Sequence, residues 1–435
     1  MKTSISPTSP TVTSATTKAD SLLSHAKDYF PAILAGMIAV LISYAGPMLL
    51  MLQAAQAAHL SDALSSSWLW AVSIGSGLCG ILLSYRYQIP VICAWNTPGA
   101  ALLVSSLVTV SYHDAIGAYL VAGALTCFIG LTGAFQKIMA AIPKSVCSAM
   151  LAGILFRFGV EVFANARSEV AGAPILTAIL FIAYLIFKRQ TSRYAIVLTL
   201  FTGVILSMVC GWGQSTAISG AHSPNWWSLS LTTPVWTMPT WTLSSTVSIG
   251  LPLALLCLTG QQVPGVAVLR AAGFEKAPVS QLISATGAAS CLLAPFGSHG
   301  INLAAITAAI CTGPEAHHEA NKRWIAGIAC GIFYVIIGCF AGSLKGLFLL
   351  LPHALVTTVA GLALMGAIQN GLSQAMALAE EREAALITFI VTASNITVLG
   401  LGSACWGISL GLLSYVVLKP RKIQDNTAVT QSPIR

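Results

Sequence analysis

Long apolar runs recur along the whole chain, and they constrain its fold more than any other feature. Only 8% of the residues are charged, whereas a soluble domain carries about 25%. Several runs approach the roughly 20 apolar residues that a helix needs to cross a bilayer. The sequence therefore predicts an all-α polytopic membrane protein. We place about fourteen transmembrane segments, at 30–53, 67–84, 90–108, 115–135, 143–163, 172–187, 194–210, 247–270, 278–293, 299–311, 324–342, 352–368, 384–399 and 403–418.

The basic residues between these runs predict the orientation of the chain. Lys and Arg favour cytoplasmic loops, and nearly all of them here fall in alternate loops. The exceptions are Arg157, Arg167 and Lys345, which we place at or near segment ends on the outer side. The loop at 211–246 has no Lys or Arg but carries five tryptophans, a residue typical of the membrane–water interface. We expect both termini in the cytoplasm and this loop outside.

The number of segments also predicts an internal repeat. Seven segments in each half would make the second half enter the membrane from the opposite side, which gives a 7+7 inverted repeat. Similar Gly-rich and Pro-started stretches in the two halves support it, with Pro143 corresponding to Pro352 and Pro98 to His299. The expected organisation is a disordered cytoplasmic tail at 1–28, the first seven-segment repeat at 29–210, the outer Trp-rich loop at 211–246, the second, inverted repeat at 247–419 and a cytoplasmic tail at 420–435.

The third and tenth segments are interrupted half-helices with short extended entries. In QIPVICAWNTPGAALLVSSL (88–107), a β-branched run breaks at Asn-Thr-Pro-Gly before a helix begins. In APFGSHGINLAAITAAIC (294–311), we start the helix at His299, so it would rise only about 20 Å through a hydrocarbon layer of about 30 Å. Broken helices leave backbone N–H groups free at their starts, as in the binding sites of transporters.

The placement of the acidic residues favours an anion as the substrate. Asp and Glu fall in loops or at segment ends, so a carboxylate relay through the membrane centre is not expected. The start of each half-helix carries about half a positive charge, which suits an anion.

Several polar residues at the two interruptions are candidate ligand contacts. His299 is the histidine predicted at midplane depth, either as a titratable group beside the substrate or as a neutral helix cap. Ser298 and Asn302 flank it, and Asn96 and Thr97 occupy the equivalent junction in the first half. Each of these residues is either a ligand contact or an ordinary capping residue.

A pair of amides interrupts the apolar run at 247–270. Gln261 and Gln262 precede Pro264 and Gly265, which we expect to break the helix. Because a buried amide is costly to leave unpaired, at least one of the two should face the binding cavity or another helix.

Three aromatic residues near the interruptions have two possible roles. Tyr44 precedes a Gly-Pro pair in the first segment, and Trp95 and Phe296 lie in the two interrupted stretches. They either flank an apolar or aromatic ligand body or serve only in packing.

Metal and enzyme chemistry have little support in the sequence. Glu315, His317, His318 and Glu319 lie close together, but in a basic stretch that reads as a polar loop and a helix start. The eleven cysteines are odd in number and include no CxxC pair, so neither a disulfide framework nor a metal framework is indicated. Motifs of metalloproteases, serine hydrolases and P-loop enzymes are absent from the sequence. We therefore expect a protein that is not an enzyme and that has no metal, cofactor or nucleic-acid partner.

At these same residues the chain resembles the benzoate:proton symporter family (BenE type). The resemblance covers nearly all of 30–418 and is carried by long contiguous stretches. These are AWNTPGAALL (94–103), AMLAGILFRFGVE (149–161), PGVAVLRAAGF (264–274), APFGSHGINLAAITAAICTGPEAH (294–317) and VTASNITVLGLGSACWG (391–407).

The resemblance implies a fold similar to that of uracil and sulfate transporters, with a core domain of segments one to four and eight to eleven that moves against a gate domain. It implies import of benzoate, or a similar small aromatic carboxylate, with a proton carried by His299 or by the substrate. We expect a multi-pass protein of the inner membrane, embedded in lipid, and a homodimer is compatible with the sequence. The residues expected to bind substrate are Tyr44, Trp95, Asn96, Thr97, Pro98, Gly99, Gln261, Gln262, Phe296, Ser298, His299, Gly300 and Asn302.

Two alternatives stay open. The same fold serves transporters of nucleobases or other small anions, although those often have a carboxylate on the eighth helix, where this chain has Gln261 and Gln262. An anion channel is the other alternative.

Overall fold

The computed structural model is that of a multi-pass helical membrane protein. It describes residues 15–45, 47–135, 137, 143–164, 172–191, 194–212, 230–304, 306–314, 316–344, 351–398 and 401–418. Within these ranges, nine helices are long and apolar enough to cross a membrane. Many large apolar side chains on them are exposed, including Phe128 and Ile182, as is expected of a surface that faces lipid.

The helices and strands occur in the order in which the sequence predicts membrane segments. The first half contains α1 (Ala15–Ala45), α2 (Pro47–Ala57), α3 (Asp62–Tyr87), β1 (Cys93–Trp95), α4 (Thr97–Ser106), α5 (Tyr112–Leu131), α6 (Lys144–Ala164), α7 (Ala173–Gln190) and α8 (Ala195–Val209). The second half contains α9 (Leu243–Arg270), then α10 (Val279–Leu293), β2 (Ile301–Leu303), α11 (Ile306–Thr312), α12 (Trp324–Cys339), α13 (His353–Ala375), α14 (Arg382–Ala393), β3 (Thr397–Val398), β4 (Leu401–Gly402) and α15 (Ser403–Leu418).

Two boundaries differ from the sequence-based expectations. The helix α1 begins at Ala15, inside the tail that we expected to be disordered, because the stretch after Ala15 is rich in the good helix formers Ala, Leu and Lys. The helix α9 continues through Pro264 and Gly265 instead of breaking there. Two π-helical stretches, Thr246–Gly250 and Leu258–Gln262, precede the proline, and such wider turns let a helix absorb a local irregularity. Residues 1–14 and 419–435 lie outside the described part of the chain.

The helices pack into two groups. In the first group, α3 packs on α12, α5 packs on α10, and α1 packs on α11 and α12. In the second group, α6 packs on α13 and α14, α14 packs on α15, and α7 packs on α8 and α13. Small residues allow the close approach in the first group. A Cβ added at Gly287 of α10 would lie 2.3 Å from the backbone nitrogen of Cys127 in α5.

Two short strands meet at the centre of the first group. The strands β1 and β2 are antiparallel, with Cys93 opposite Leu303 and Trp95 opposite Ile301. The helix α4 follows β1 directly, as the sequence predicts. The predicted start of the second half-helix at His299 is wrong. The strand β2 follows His299, and α11 begins only at Ile306. Pairing with β1 gives the backbone N–H and C=O groups of β2 hydrogen-bond partners. These groups therefore do not need a helix to be satisfied.

The segment 230–242 lies across the ends of four elements of the first group. Its backbone N–H groups donate from Thr232 to Cys339 O at 2.8 Å and from Thr237 to Pro295 O at 2.8 Å. Val235 N donates to Ser67 Oγ at 2.9 Å, and Thr240 N donates to His113 O at 3.1 Å. This part of the Trp-rich loop is therefore fixed to the starts of α3 and α5 and to the ends of α10 and α12. Residues 213–229 lie outside the described ranges.

Candidate functional site

Asn96 connects three elements at the crossing of the two strands. Its side-chain Oδ1 accepts the N–H of Gly99 at 3.1 Å and so caps α4, while Nδ2 donates to Leu253 O of α9 at 3.3 Å. Its backbone N donates to Gly300 O at 3.0 Å. Asn96 is completely buried, so it is a structural cap here and not an exposed ligand contact.

His299 is buried beside Asn96 and is bonded at both ring nitrogens. The indole Nε1–H of Trp68 donates to Nδ1 at 3.0 Å, and Nε2 lies 3.0 Å from Asn96 O. An indole N–H can only donate and a carbonyl can only accept. The ring is therefore the neutral tautomer with its hydrogen on Nε2, and a second proton could enter only at the nitrogen that Trp68 occupies.

The start of α4 offers few free N–H groups to an anion. The N–H of Gly99 is taken by Asn96, Pro98 has none, and Ala100 N donates to Asn96 O at 2.8 Å. The Asn96 side chain therefore already caps the start of α4, and binding of a carboxylate at this helix start stays a prediction.

The two adjacent glutamines of α9 have different environments. Gln262 is completely buried, and its amide donates to Thr286 Oγ1 at 2.8 Å and accepts Leu303 N–H at 3.3 Å. This confirms that at least one of the pair bonds to another helix. Gln261 is only partly buried, and its side chain makes no hydrogen bond with the described residues.

Thr97 and Gln261 lie on segments that approach each other. A Cβ added at Gly260 would lie 3.5 Å from Pro98 Cγ and 3.8 Å from Leu151 Cδ2 of α6. Thr97 is partly buried and, like Gln261, has no hydrogen-bond partner among the described residues. These two polar side chains of the predicted site thus lie where α4 and α9 approach α6 of the second group.

A glycine brings α4 close against α9. A Cβ added at Gly99 would lie 2.4 Å from Leu253 Cδ1 and 2.7 Å from Asn96 Nδ2. A methyl group at this position would force one of these neighbours to shift.

The predicted aromatic residues fall into two separate clusters. Trp95 makes edge-on contacts with Tyr44 at 5.0 Å and with Tyr334 at 5.6 Å between ring centroids, and all three rings are buried. Phe296 instead contacts Trp70 at 5.8 Å and Trp236 of the segment 230–242 at 5.4 Å. Among the described residues, Phe296 makes no ring contact with Trp95 or Tyr44, so the structure does not bring the three together.

The remaining predicted residues surround His299. Ser298 is buried and its Oγ has no partner among the described residues. Gly300 has φ of 143°, a backbone conformation that favours glycine. Asn302 is buried opposite Ala94, and its amide, oriented with nitrogen towards Ala94 O, donates to that oxygen at 3.3 Å.

Three residues that complete the site had no recognisable signal in the sequence. Trp68 bonds His299, Tyr334 packs on Trp95, and Ser290 Oγ accepts Ile301 N–H at 2.8 Å. Trp68 and Tyr334 sit in ordinary apolar runs, and nothing in those runs separates them from aromatic residues that face lipid.

The polar cluster after α11 is an ion-pair network, and in it the ligand atoms of Asp28, His317 and His318 lie within 4.8 Å of one another. His317 Nδ1 accepts the backbone N–H of Glu319 at 3.0 Å, so its hydrogen is on Nε2, 3.3 Å from Asp28 Oδ1. A metal at Nε2 would need that hydrogen removed. Lys322 Nζ lies 3.0 Å from Asp28 Oδ2 and 2.8 Å from Glu319 Oε1, and its ammonium lowers the pKa of Glu319. Glu315 lies outside the described ranges.

Comparison with known sequences decides the family. The sequence profile described as "Benzoate membrane transport protein" matches residues 27–417. The chain belongs to the benzoate membrane transport family. This confirms the resemblance found in the sequence, and it confirms a membrane transporter and not an enzyme.

Two relatives are similar to this benzoate transport family member along almost their full length. The chain is 41% identical over 391 residues to the benzoate membrane transport protein of Acinetobacter baylyi (strain ATCC 33305 / BD413 / ADP1), which covers 90% of this chain and 96% of that one. It is 39% identical over 388 residues to the inner membrane protein YdcO of Escherichia coli (strain K12), with 89% and 96% covered.

The fold of this benzoate transport family member is also found in a solved structure. The overall structure of SLC26A9 superposes with a TM-score of 0.57 at 13% identity, covering 90% of this chain and 66% of that one. The chain thus spans about two thirds of that protein, and the likeness concerns the fold alone.

Proposed function

We propose that this protein imports benzoate, or a similar small aromatic carboxylate, together with a proton by secondary active transport. Two facts support the substrate class. The relative from Acinetobacter baylyi is named as a benzoate membrane transport protein, and the candidate site combines free hydrogen-bonding groups with apolar walls. The observation that carries the proposal is that Thr97 and Gln261 lie on segments that meet at Pro98 and Gly260 and make no hydrogen bond with the described residues. Asn96, His299 and Gln262 beside them are hydrogen-bonded.

The carboxylate would bind between the hydroxyl of Thr97 and the amide of Gln261. Both groups can donate to a carboxylate oxygen, and hydrogen bonds to a charged group contribute about 1.5–3 kcal/mol each. The ring would lie against Pro98 and Leu151, where Gly260 leaves room beside the proline. The buried rings of Trp95 and Tyr44 would then form the wall behind the site and not its contact surface.

Alternating access would move the first helix group, as the core, against the second, as the gate. An inverted repeat is supported by the packing, because several helix contacts have counterparts that are related by a shift of seven segments. The pair α5 and α10 corresponds to α12 and α3, and the pair α14 and α15 corresponds to α7 and α8. Likewise, α1 packs on α11 as α9 packs on α4. Such repeats typically place the substrate near the bilayer midplane between them.

His299 is our candidate for coupling transport to the proton. Protonation at Nδ1 would make that nitrogen a donor, so the N–H groups of Trp68 and His299 would face each other with no acceptor between them. The Trp68 bond would break, which would release α3 from the crossing of the two strands. Proton loading would thereby be coupled to movement within the core. The alternative is that the substrate crosses as the neutral acid, which would leave the Trp68 bond intact.

The expected location is the inner membrane with both termini in the cytoplasm. The alternation of Lys and Arg along the sequence supports this orientation. On this orientation the segment 230–242 lies outside, and the network around Lys322 lies inside.

The substrate class is tested by competition. Counterflow of labelled benzoate would be measured in proteoliposomes, with protein-free liposomes as the control for leakage of benzoic acid. Unlabelled benzoate and ring-substituted benzoates should compete, while uracil, sulfate and bicarbonate should not. Competition by uracil or an inorganic anion but not by benzoate would assign the site to a different substrate of this fold. Electrical currents above about a thousand ions per second would instead indicate a channel.

A further inference from the structure

A small cavity lies where α4 approaches α6 and α14 of the second group. It adjoins the C-terminal half of α4 at Ser105, and α6 lines it with Gly153 and Arg157. Its other side is formed by Thr392 at the end of α14 and by Asn395. Its volume is about 20 Å³, which leaves room for about one water. Ser105 follows Thr97 by eight residues of the same helix, so this cavity lies about 12 Å from the candidate substrate site.

Arg157 supplies a positive charge to this cavity from within a membrane segment. It precedes the end of α6 at Ala164 by seven residues, or about 10 Å, and about half of its side chain is exposed. Its Nε donates to Glu161 Oε1 at 3.0 Å, and Glu161 is its one partner among the described residues. The four N–H groups on its two terminal nitrogens are therefore free to bind a ligand. Charged residues inside membrane segments are costly and usually functional.

Thr392 adds a buried side chain beside this cavity. Its side chain is buried and lines the same cavity, yet Oγ1 has no hydrogen-bond partner among the described residues. A buried hydroxyl without a partner costs about 1–3 kcal/mol. In this rotamer a Cβ added at Gly407 of α15 would overlap Thr392 Oγ1, while the methyl group faces Gly153. The hydroxyl would therefore meet a ligand in the cavity only after rotation about χ1.

We propose that this cavity is a second carboxylate site on the transport route, with Arg157 as its anion-binding group. The proposal rests on the function proposed above and extends it. The substrate carboxylate binds Arg157 on the predicted outer side and then passes along α4 to Thr97 and Gln261. Because the cavity holds only about one water, the α4 wall must separate from α6 and α14 before benzoate fits. The site therefore opens and closes with the movement of core against gate.

The test compares the KM for benzoate supplied from outside in cells that express each variant. Arg157→Gln should raise KM at least tenfold, and Arg157→Lys should raise it less, because lysine keeps the charge but not the planar fork of donors. Glu161→Gln should leave KM unchanged or lower it, since it removes the carboxylate that competes for Arg157. Arg86→Gln, at the far end of α3, is the matched control and should not change KM.

Two further results keep the outcomes distinct. Melting temperatures and size-exclusion profiles of the purified variants separate lost binding from misfolding, and Arg157→Lys provides the test if Arg157→Gln fails to fold. Equal effects of Arg157→Gln and Glu161→Gln on KM would mean that Arg157 acts only as the ion-pair partner of Glu161. That result would overturn the proposal. A wild-type KM in both Arg157 variants would overturn it while leaving the proposed function intact. Absence of benzoate uptake by the wild type would overturn both.

Discussion

The indole N–H of Trp68 lies 3.0 Å from Nδ1 of His299, although the two residues are 231 positions apart. The bond fixes the imidazole as the neutral tautomer that donates to Asn96 O, and Asn96 in turn caps α4 and bonds Leu253 of α9. A change of protonation at one nitrogen would therefore act on α3, β1 and α9 together.

Replacing His299 by glutamine tests whether this ring carries the proton. Glutamine can donate to Asn96 O and accept from Trp68, but it cannot take up a proton near neutral pH. We expect His299→Gln to keep counterflow of benzoate, which needs no net proton movement, and to lose accumulation driven by a pH gradient. Accumulation at the wild-type level would assign the proton to the substrate instead.

Replacing Trp68 by phenylalanine removes the donor that opposes protonation of His299. The N–H of Trp68 favours the neutral ring, so its loss should let His299 take up a proton at higher pH. We expect the pH of half-maximal uptake to move upward in Trp68→Phe. Trp70→Phe is the control, because Trp70 contacts Phe296 and not His299. A pH profile that stays unchanged in Trp68→Phe would contradict control of His299 by Trp68.

The neighbouring glutamines offer a matched pair of substitutions. Gln261→Leu removes a free amide, so it should raise the KM for benzoate about tenfold or more while the melting temperature stays near the wild-type value. Gln262→Leu leaves Leu303 N–H and Thr286 without their partner, so it should lower the free energy of unfolding by about 1–3 kcal/mol. Transport kinetics and thermal melting in detergent separate the two effects. The reverse pattern would mean that Gln262 faces the substrate.

Two glycines near α9 should respond differently to a methyl group. Gly99→Ala should destabilise the protein by about 1–3 kcal/mol, because the methyl group would overlap Leu253 and Asn96. Gly260→Ala makes only ordinary contacts, so the protein should melt normally, but the methyl group would narrow the space beside Pro98 and weaken binding of benzoate. Normal stability of Gly99→Ala would show that α4 and α9 are less tightly packed than the structure indicates.

Local sequence signals predicted the first interruption well and the second one poorly. The break before α4 is encoded by Asn96 and Pro98, a capping residue and a proline within three positions, and the helix begins there. The second helix begins at Ile306 and not at His299, because β2 forms only through pairing with β1, about two hundred residues away. A pairing at such a distance leaves no local pattern in the sequence.

Single-sequence reasoning also could not tell which polar residues are already bonded. Gln261 and Gln262 are chemically identical and adjacent, and only the packing of α9 against β2 and α10 makes one structural and leaves the other free. Trp68 looked like any membrane tryptophan.

Gradient-driven accumulation of labelled benzoate in proteoliposomes is the most direct test of the central proposal. With an inward proton gradient, the purified protein should raise internal benzoate above the level reached by passive partition of benzoic acid in protein-free liposomes. A protonophore should abolish the difference, and Gln261→Leu should reduce its initial rate at low benzoate. Equal accumulation with and without protein, under a gradient verified by a pH-sensitive dye, would contradict proton-coupled import of benzoate.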